Sequence, residues 1–191
     1  MKAYFSGALY QKDKLDDKYQ RIVNTLSSEG FEVLEDTTKV SLEEALRKSD
    51  DEREDYYKKV VKWIDRCDVA VVEASFPSTL SIGHEITLAV GKNKPVVVMY
   101  LEGRDPSFLL GLKGDKIIWT KYNQENLEKV LAEALARAKD QSDVRFNFFV
   151  SPKILNYLDW VAKKRMIPRS VFLRDLIEKE MKKDKDFKAG A

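Results

Sequence analysis

The chain has 191 residues, 43% of them hydrophobic and 10% aromatic, enough to bury a sizeable core and too apolar for a disordered chain. Its formal charge of +2 is uneven, because residues 143–191 carry 12 Lys/Arg against 7 Asp/Glu and form the basic end. No run approaches the roughly 20 apolar residues that span a bilayer, and Met1 leads into a charged, strand-like segment, so a cytoplasmic protein is expected; one cysteine and one histidine exclude an internal disulfide, argue against a zinc site, and no motif calls for a metal or cofactor.

KAYFS, residues 2–6, reads as a short buried strand ending at Gly7. DKLDDKYQRIVNTLSSEG then places Leu15, Tyr19, Ile22, Val23 and Leu26 at helical spacing and stops at Gly30, positioned as a C′ glycine. FEVLE is the second strand. The stretch 41–67 is helical with a break near Ser49, and Ser41 with Glu44 has the spacing of a capping box. VAVVEAS, residues 69–75, is a continuous apolar strand of the kind buried on both faces of a parallel sheet. LSIGHEITLAVGKN reads as a helix ended by Gly91, with Glu85 expected in the first turn after Ser81. KPVVVMYLE and GDKIIWT supply two more strands, and NQENLEKVLAEALARAKD an amphipathic helix. Cys67 reads as a small buried hydrophobe beside Asp68.

This alternation predicts an α/β domain over 1–139 with a doubly wound, flavodoxin-like sheet of five parallel strands. Ligands of such sheets sit beyond the carboxyl ends of the strands, near the switch point in strand order. Ser6, Gly7 and Ala8 after the first strand, and Ser75 to Glu85 after the third, are therefore expected to share one crevice. DQSD then reads as a polar linker over 140–143, RFNFFVSP as a strand with alternating faces, and 152–183 as two amphipathic helices joined near Ile167-Pro168. One strand and two helices in so few residues need a partner to bury their apolar faces. Residues 184–191 read as a frayed tail.

Several stretches, in order, carry a resemblance: Y-F-S-G at 4–7, W-I-D-R-C-D-V-A-V-V-E-A at 63–74, P-S at 77–78, G-H-E at 83–85 and G-K-N-K-P at 91–95. Over residues 2–138 the chain resembles the nucleoside 2-deoxyribosyltransferases and the related 2′-deoxynucleoside 5′-monophosphate N-glycosidases. The resemblance implies that Glu85 is a nucleophile attacking C1′ of a (deoxy)ribosyl group, with a glycosyl-enzyme ester resolved by water or by a second base. It further implies that Tyr4 hydrogen-bonds nucleophile or sugar, and that substrate is held by Ser6, Gly7, Ala8, Ser75, Pro77, Ser78, Ser81, Gly83 and His84, with Ser78 toward a phosphate. A plainer reading of each stands beside this: Tyr4 as packed aromatic, Ser78 as turn or cap residue, His84 as an exposed imidazole outside the chemistry.

The departures are specific. The family's aspartate that protonates the leaving base falls at Val60, which has no acid chemistry. Asp55 and Asp65 are the nearest substitutes and read more simply as solvated helix charges. Ala8-Leu9-Tyr10-Gln11 stands where the monophosphate hydrolases often have Arg-Gly, PSTLSIGHE is one residue longer than the usual loop, and Ser81 replaces a loop glycine.

Residues 144–183 resemble a ribbon-helix-helix module. In it Phe146, Phe148 and Val150 face inward, Arg145, Asn147 and Phe149 form the outer face of a ribbon made by two chains, and Arg169 with Ser170 at the second helix start anchors a phosphate. Two classes of function follow. One is an enzyme of the N-glycosidic bond, homo-oligomeric, acting on a nucleoside or nucleotide. The alternative is a DNA-binding regulator whose α/β domain is an inactive nucleotide sensor, with a bare nucleotide-binding scaffold as the plainest case.

Overall fold

A computed structural model describes residues 1–112, 114–140 and 148–184, and the chain divides into two compact units, Met1–Asp143 and Val144–Ala191. The first unit runs β1 (Lys2–Gly7), α1 (Lys12–Ser28), β2 (Glu32–Leu34), α2 (Leu42–Arg47), α3 (Asp50–Arg66), β3 (Val69–Glu73), α4 (Leu80–Gly91), β4 (Val96–Leu101), β5 (Ile117–Tyr122) and α5 (Leu127–Asp140). All five strands are parallel, in the order β2-β1-β3-β4-β5. This is the flavodoxin-like order, and it reverses between β1 and β3.

Side chains on a strand alternate between faces, and that alternation builds two separate cores. Phe5, Val71, Met99 and Tyr122 pack against Leu15, Tyr19 and Ile22 of α1 and against Leu131 and Leu135 of α5. Tyr4, Ala70, Val72 and Val98 face the other way, onto Val60 and Ile64 of α3 and Ile82 and Ile86 of α4, where Cys67 is also buried. Each fully buried aliphatic side chain contributes roughly 1.5–3 kcal/mol, so the sheet is held from both sides.

Local chemistry sets the boundaries. Gly30 closes α1 at φ +82°, a backbone that favours glycine. Ser41 and Ser49 each form a complete capping box, with Glu44 and Glu52, so the helical region breaks because Ser49 caps a new helix. At Gly7 a Cβ would lie 2.7 Å from the Tyr19 ring, and that closeness lets the Tyr19 hydroxyl donate to the Ala8 carbonyl at 3.1 Å.

One helix differs from expectation. Thr79, in extended backbone, is the N-cap of α4, so Glu85 is the sixth helical residue and no acidic residue lies in the first turn. The helix dipole acts over the first turn, so it does not hold this carboxylate charged.

In the second unit α6 (Pro152–Arg165) is capped by the Ser151 hydroxyl, which accepts from the Ile154 amide at 3.4 Å, and ends at Met166 in left-handed conformation. α7 (Arg169–Met181) follows directly. The buried cluster of this unit is small: Leu158, Val161 and Phe172. Phe148, Phe149 and Val150 form no strand, since a ribbon strand needs an edge from a second chain. The rest of that expected strand, with Arg145, Phe146 and Asn147, lies outside the described residues, as do 141–143 of the linker and 185–191 of the tail.

Candidate active site

At the carboxyl edge of the sheet, where β1 and β3 part, a cavity of about 430 Å³ opens against α4 and the connection between β2 and α3. Ligand pockets of α/β sheets are of this size and in this place. Ser6, Gly7 and Ala8 line it from the end of β1, and Ser81, His84 and Glu85 from α4, so the two predicted segments do meet.

Glu85 lies between the buried core stripe of α4, Ile82, Ile86 and Ala89, and the open side of the helix. Its carboxylate therefore faces the sheet end. The Tyr4 hydroxyl donates to Glu85 Oε2 at 3.0 Å, and the Ser6 side chain lies near enough to favour the charged carboxylate. Tyr4 and Ser6 stand two apart on β1 and so share one face. Burial pushes the Glu85 carboxyl above its ordinary range, against the opposing pull of Ser6, Tyr4 and the nearby His84. The same burial, together with the charge of Glu85, raises the Tyr4 phenol, so it stays a proton donor to the carboxylate. The Trp63 ring, 6.3 Å from that of Tyr4, fixes the tyrosine from the α3 side.

His84 is on the cavity wall and stacks on Tyr57 at 5.8 Å, with its Nε2 3.3 Å from Tyr57 Oη. Val60 is also on the wall, buried and without a titratable group. Neither suggested replacement reaches the cavity: Asp55 is exposed and faces Lys58, and Asp65 pairs with Lys92 at 2.6 Å. Among the described residues the other carboxylate on the wall is Asp36, paired with Lys59 at 2.6 Å.

Four predicted binding residues are not part of the lining. Ser75 is buried, and its hydroxyl donates to Glu73 and accepts from the Leu101 amide at 2.8 Å. Pro77 and Ser78 precede the N-cap and face solvent, and Gly83 lies on the outer side of the first turns of α4. Thr79 lines the cavity in place of Ser78. In the C-terminal unit Phe149 is fully exposed, Arg169 is engaged by Asp159, and Ser170 lies in the first turn of α7.

Sequence reasoning missed the wall between β2 and α3. Asp36, Thr37, Lys48, Arg53, Tyr56 and Tyr57 all face the cavity. Lys48 Nζ lies 4.0 Å over the Tyr56 ring, and Arg53 is tied to Asp50 at 3.1 Å and to the Leu46 carbonyl at 3.3 Å. Burial, with Asp36 and Glu85 adding to it, pushes the Tyr56 phenol up to about 12. The signal was the adjacent tyrosines in an otherwise charged helix.

Residues 3–139, well over half of the chain, match the sequence profile described as nucleoside 2-deoxyribosyltransferase. The chain belongs to that family. Among solved structures it is similar to the Clostridium botulinum CMP N-glycosidase BcmB, with 17% identity and a TM-score of 0.50 over 71% of this chain and 99% of that one, a likeness of fold. No curated protein sequence matches. No helix among the described residues is long and apolar enough to cross a membrane.

Proposed function

We propose that the protein cleaves the N-glycosidic bond of a nucleoside or nucleotide, with Glu85 as nucleophile. The observation that carries this is the Tyr4–Glu85 hydrogen bond of 3.0 Å at a cavity on the switch point of the sheet. A carboxylate oxygen attacks C1′ as the bond to the base breaks, through an oxocarbenium-like transition state. The bonding electrons leave with the base, which takes up a proton. Water, or a second base, then opens the ester and restores the carboxylate. Tyr4 and Ser6 orient the nucleophile, and Tyr57 with His84 offers an aromatic surface for a base. Val60 supplies no proton and Asp36, the other carboxylate on the wall, is paired with Lys59, so the departing base takes its proton from water.

Incubation with deoxynucleosides, nucleoside monophosphates and NAD, with free base as the readout, tests the reading. Release by the wild type and none by Glu85→Gln supports it; release by neither removes it.

A second observation concerns assembly. Trp160, Ile177 and Leu176 are exposed in a unit whose buried core, among the described residues, is three side chains, and Phe149 projects fully into solvent. We propose that a second copy of the chain covers these surfaces, because so small a unit does not bury enough by itself. Sedimentation of the full chain is expected to show an oligomer that Ile177→Asp dissociates. With Arg169 engaged by Asp159, the DNA-binding alternative rests on the basic balance of residues 143–191, and salt-independent or absent binding to duplex DNA removes it.

A further inference from the structure

Two segments frame the sheet-edge side of the cavity, the loop after β1 and the loop after β3, and among the described residues no direct hydrogen bond between them is found. The loop after β1 carries Ala8, Leu9 and Tyr10, all on the cavity wall, and ends in Gln11, which is 3% exposed although amide side chains are normally solvated. The loop after β3 runs through Phe76 to Thr79 and delivers α4 with Glu85. Arg104, in the turn that follows β4, touches both. Its Nε donates to the Phe76 carbonyl at 2.7 Å and its Nη2 to Gln11 Oε1 at 2.8 Å. The Phe76 amide returns a bond to the Arg104 carbonyl at 2.8 Å, so the guanidinium is anchored on a segment already clasped to the β3 loop. Gln11 is held in turn by its amide, which donates to the Ala8 carbonyl at 2.8 Å.

We propose that Arg104 is a positioning residue that locks the β1 loop to the β3 loop and so keeps Ser6, Gly7 and Ala8 in register with Glu85 across the cavity. The fork geometry of arginine is what the arrangement uses, since two acceptors on different segments must be met by nitrogens of one planar group. Lysine keeps the charge and reaches one acceptor. The reading deepens the glycosidase proposal, because an error of about 1 Å between a nucleophile and the bound sugar can cost on the order of 10²-fold in rate.

Amide hydrogen exchange on the full chain tests the lock without any substrate. Gln11→Met removes the acceptor on the β1 loop alone. Exchange at Phe76, which Gln11 does not touch, is expected to rise about tenfold, and Arg104→Met is expected to raise it at both loops, with the double variant no worse than Arg104→Met, as residues in one network behave. Faster exchange in Gln11→Met confined to residues 8–11 overturns the lock. Where the wild type releases base, Arg104→Lys is expected to lower kcat by roughly tenfold at near-wild-type thermal stability; unchanged kcat overturns the positioning role while leaving Glu85 as nucleophile. Where the wild type releases no base, the glycosidase reading fails and the exchange experiment still decides the lock.

Discussion

Two glutamates at the carboxyl edge of the sheet have nearly the same surroundings and opposite prospects. Glu85 takes a hydrogen bond from Tyr4, with Ser6 close by; Glu73, the last residue of β3, takes them from Tyr122, at 2.9 Å, and Ser75. Burial raises both carboxyls above their ordinary range. They part in position: Glu73 is 1% exposed and faces the α1/α5 side of the sheet with Tyr122, whereas Glu85 lies on the cavity wall. A tyrosine, a serine and a buried carboxyl therefore do not make a site. Access for a sugar does, and access is decided by which side of the sheet the carboxyl packs against.

Exchanging each for the isosteric amide gives the largest contrast. Glu85→Gln is expected to lower base release by at least about 10³-fold, as removal of a nucleophile does, while Glu73→Gln keeps an acceptor for both hydroxyls and leaves the rate within roughly tenfold of wild type. Measured kcat for the two variants checks this. Comparable losses in both would erase the distinction between the glutamates. Stability moves the other way. A carboxyl raised in the folded state contributes stability below its unfolded pKa and loses it as pH rises through its folded pKa. Both amide variants should therefore gain in Tm over the wild type as pH rises to neutrality, and the gain should vanish in acid. For Glu85 that gain is the stability cost of keeping a carboxylate ready.

The next contrast is in stability alone. Glu73→Ala leaves two buried hydroxyls without their acceptor and opens a void, and is expected to cost about 2–4 kcal/mol in denaturant unfolding. Glu85→Ala leaves groups at an open cavity that water can reach, so its cost should be smaller. Equal costs would show that the cavity is dry.

The sheet and Glu85 were legible because the information is local. Continuous apolar runs such as VAVVEAS mark strands buried on both faces, and the switch-point rule then brings Gly7 and Glu85 together. The error over Glu85 came from counting the first turn of α4 from Ser81; the N-cap is Thr79, which caps without any side-chain hydrogen bond and so leaves no motif. Ser75 was misassigned because its hydroxyl turns to Glu73 and accepts from the Leu101 amide of β4, a partner far away in sequence. The wall from Asp36 to Tyr57 was illegible for a similar reason. Charged residues on a helix read as solvated, and only the tertiary placement of α2 and α3 over the sheet end puts Lys48, Arg53 and the two tyrosines on the cavity wall.

The smallest expected effect separates the two tyrosines. With Glu85 as the proposed nucleophile, which acts ionised, activity should rise with pH along an acid limb set by a carboxyl that burial places above the usual range. Tyr4→Phe removes a donor that favours the charged form, so the limb should move to still higher pH, with kcat at its plateau lower by roughly tenfold. Tyr122→Phe removes the equivalent donor from Glu73, raising that carboxyl further, yet no reacting group is attached to it. Its limb should coincide with that of the wild type. The profile thus reads a hydrogen bond through the chemistry of its acceptor: identical substitutions on the two faces of one sheet shift the profile only where the carboxylate meets the cavity. A shifted limb in Tyr122→Phe would mean that the titration governing catalysis belongs to the closed cluster, and would transfer the working carboxylate from the face of α4 to the face of α1.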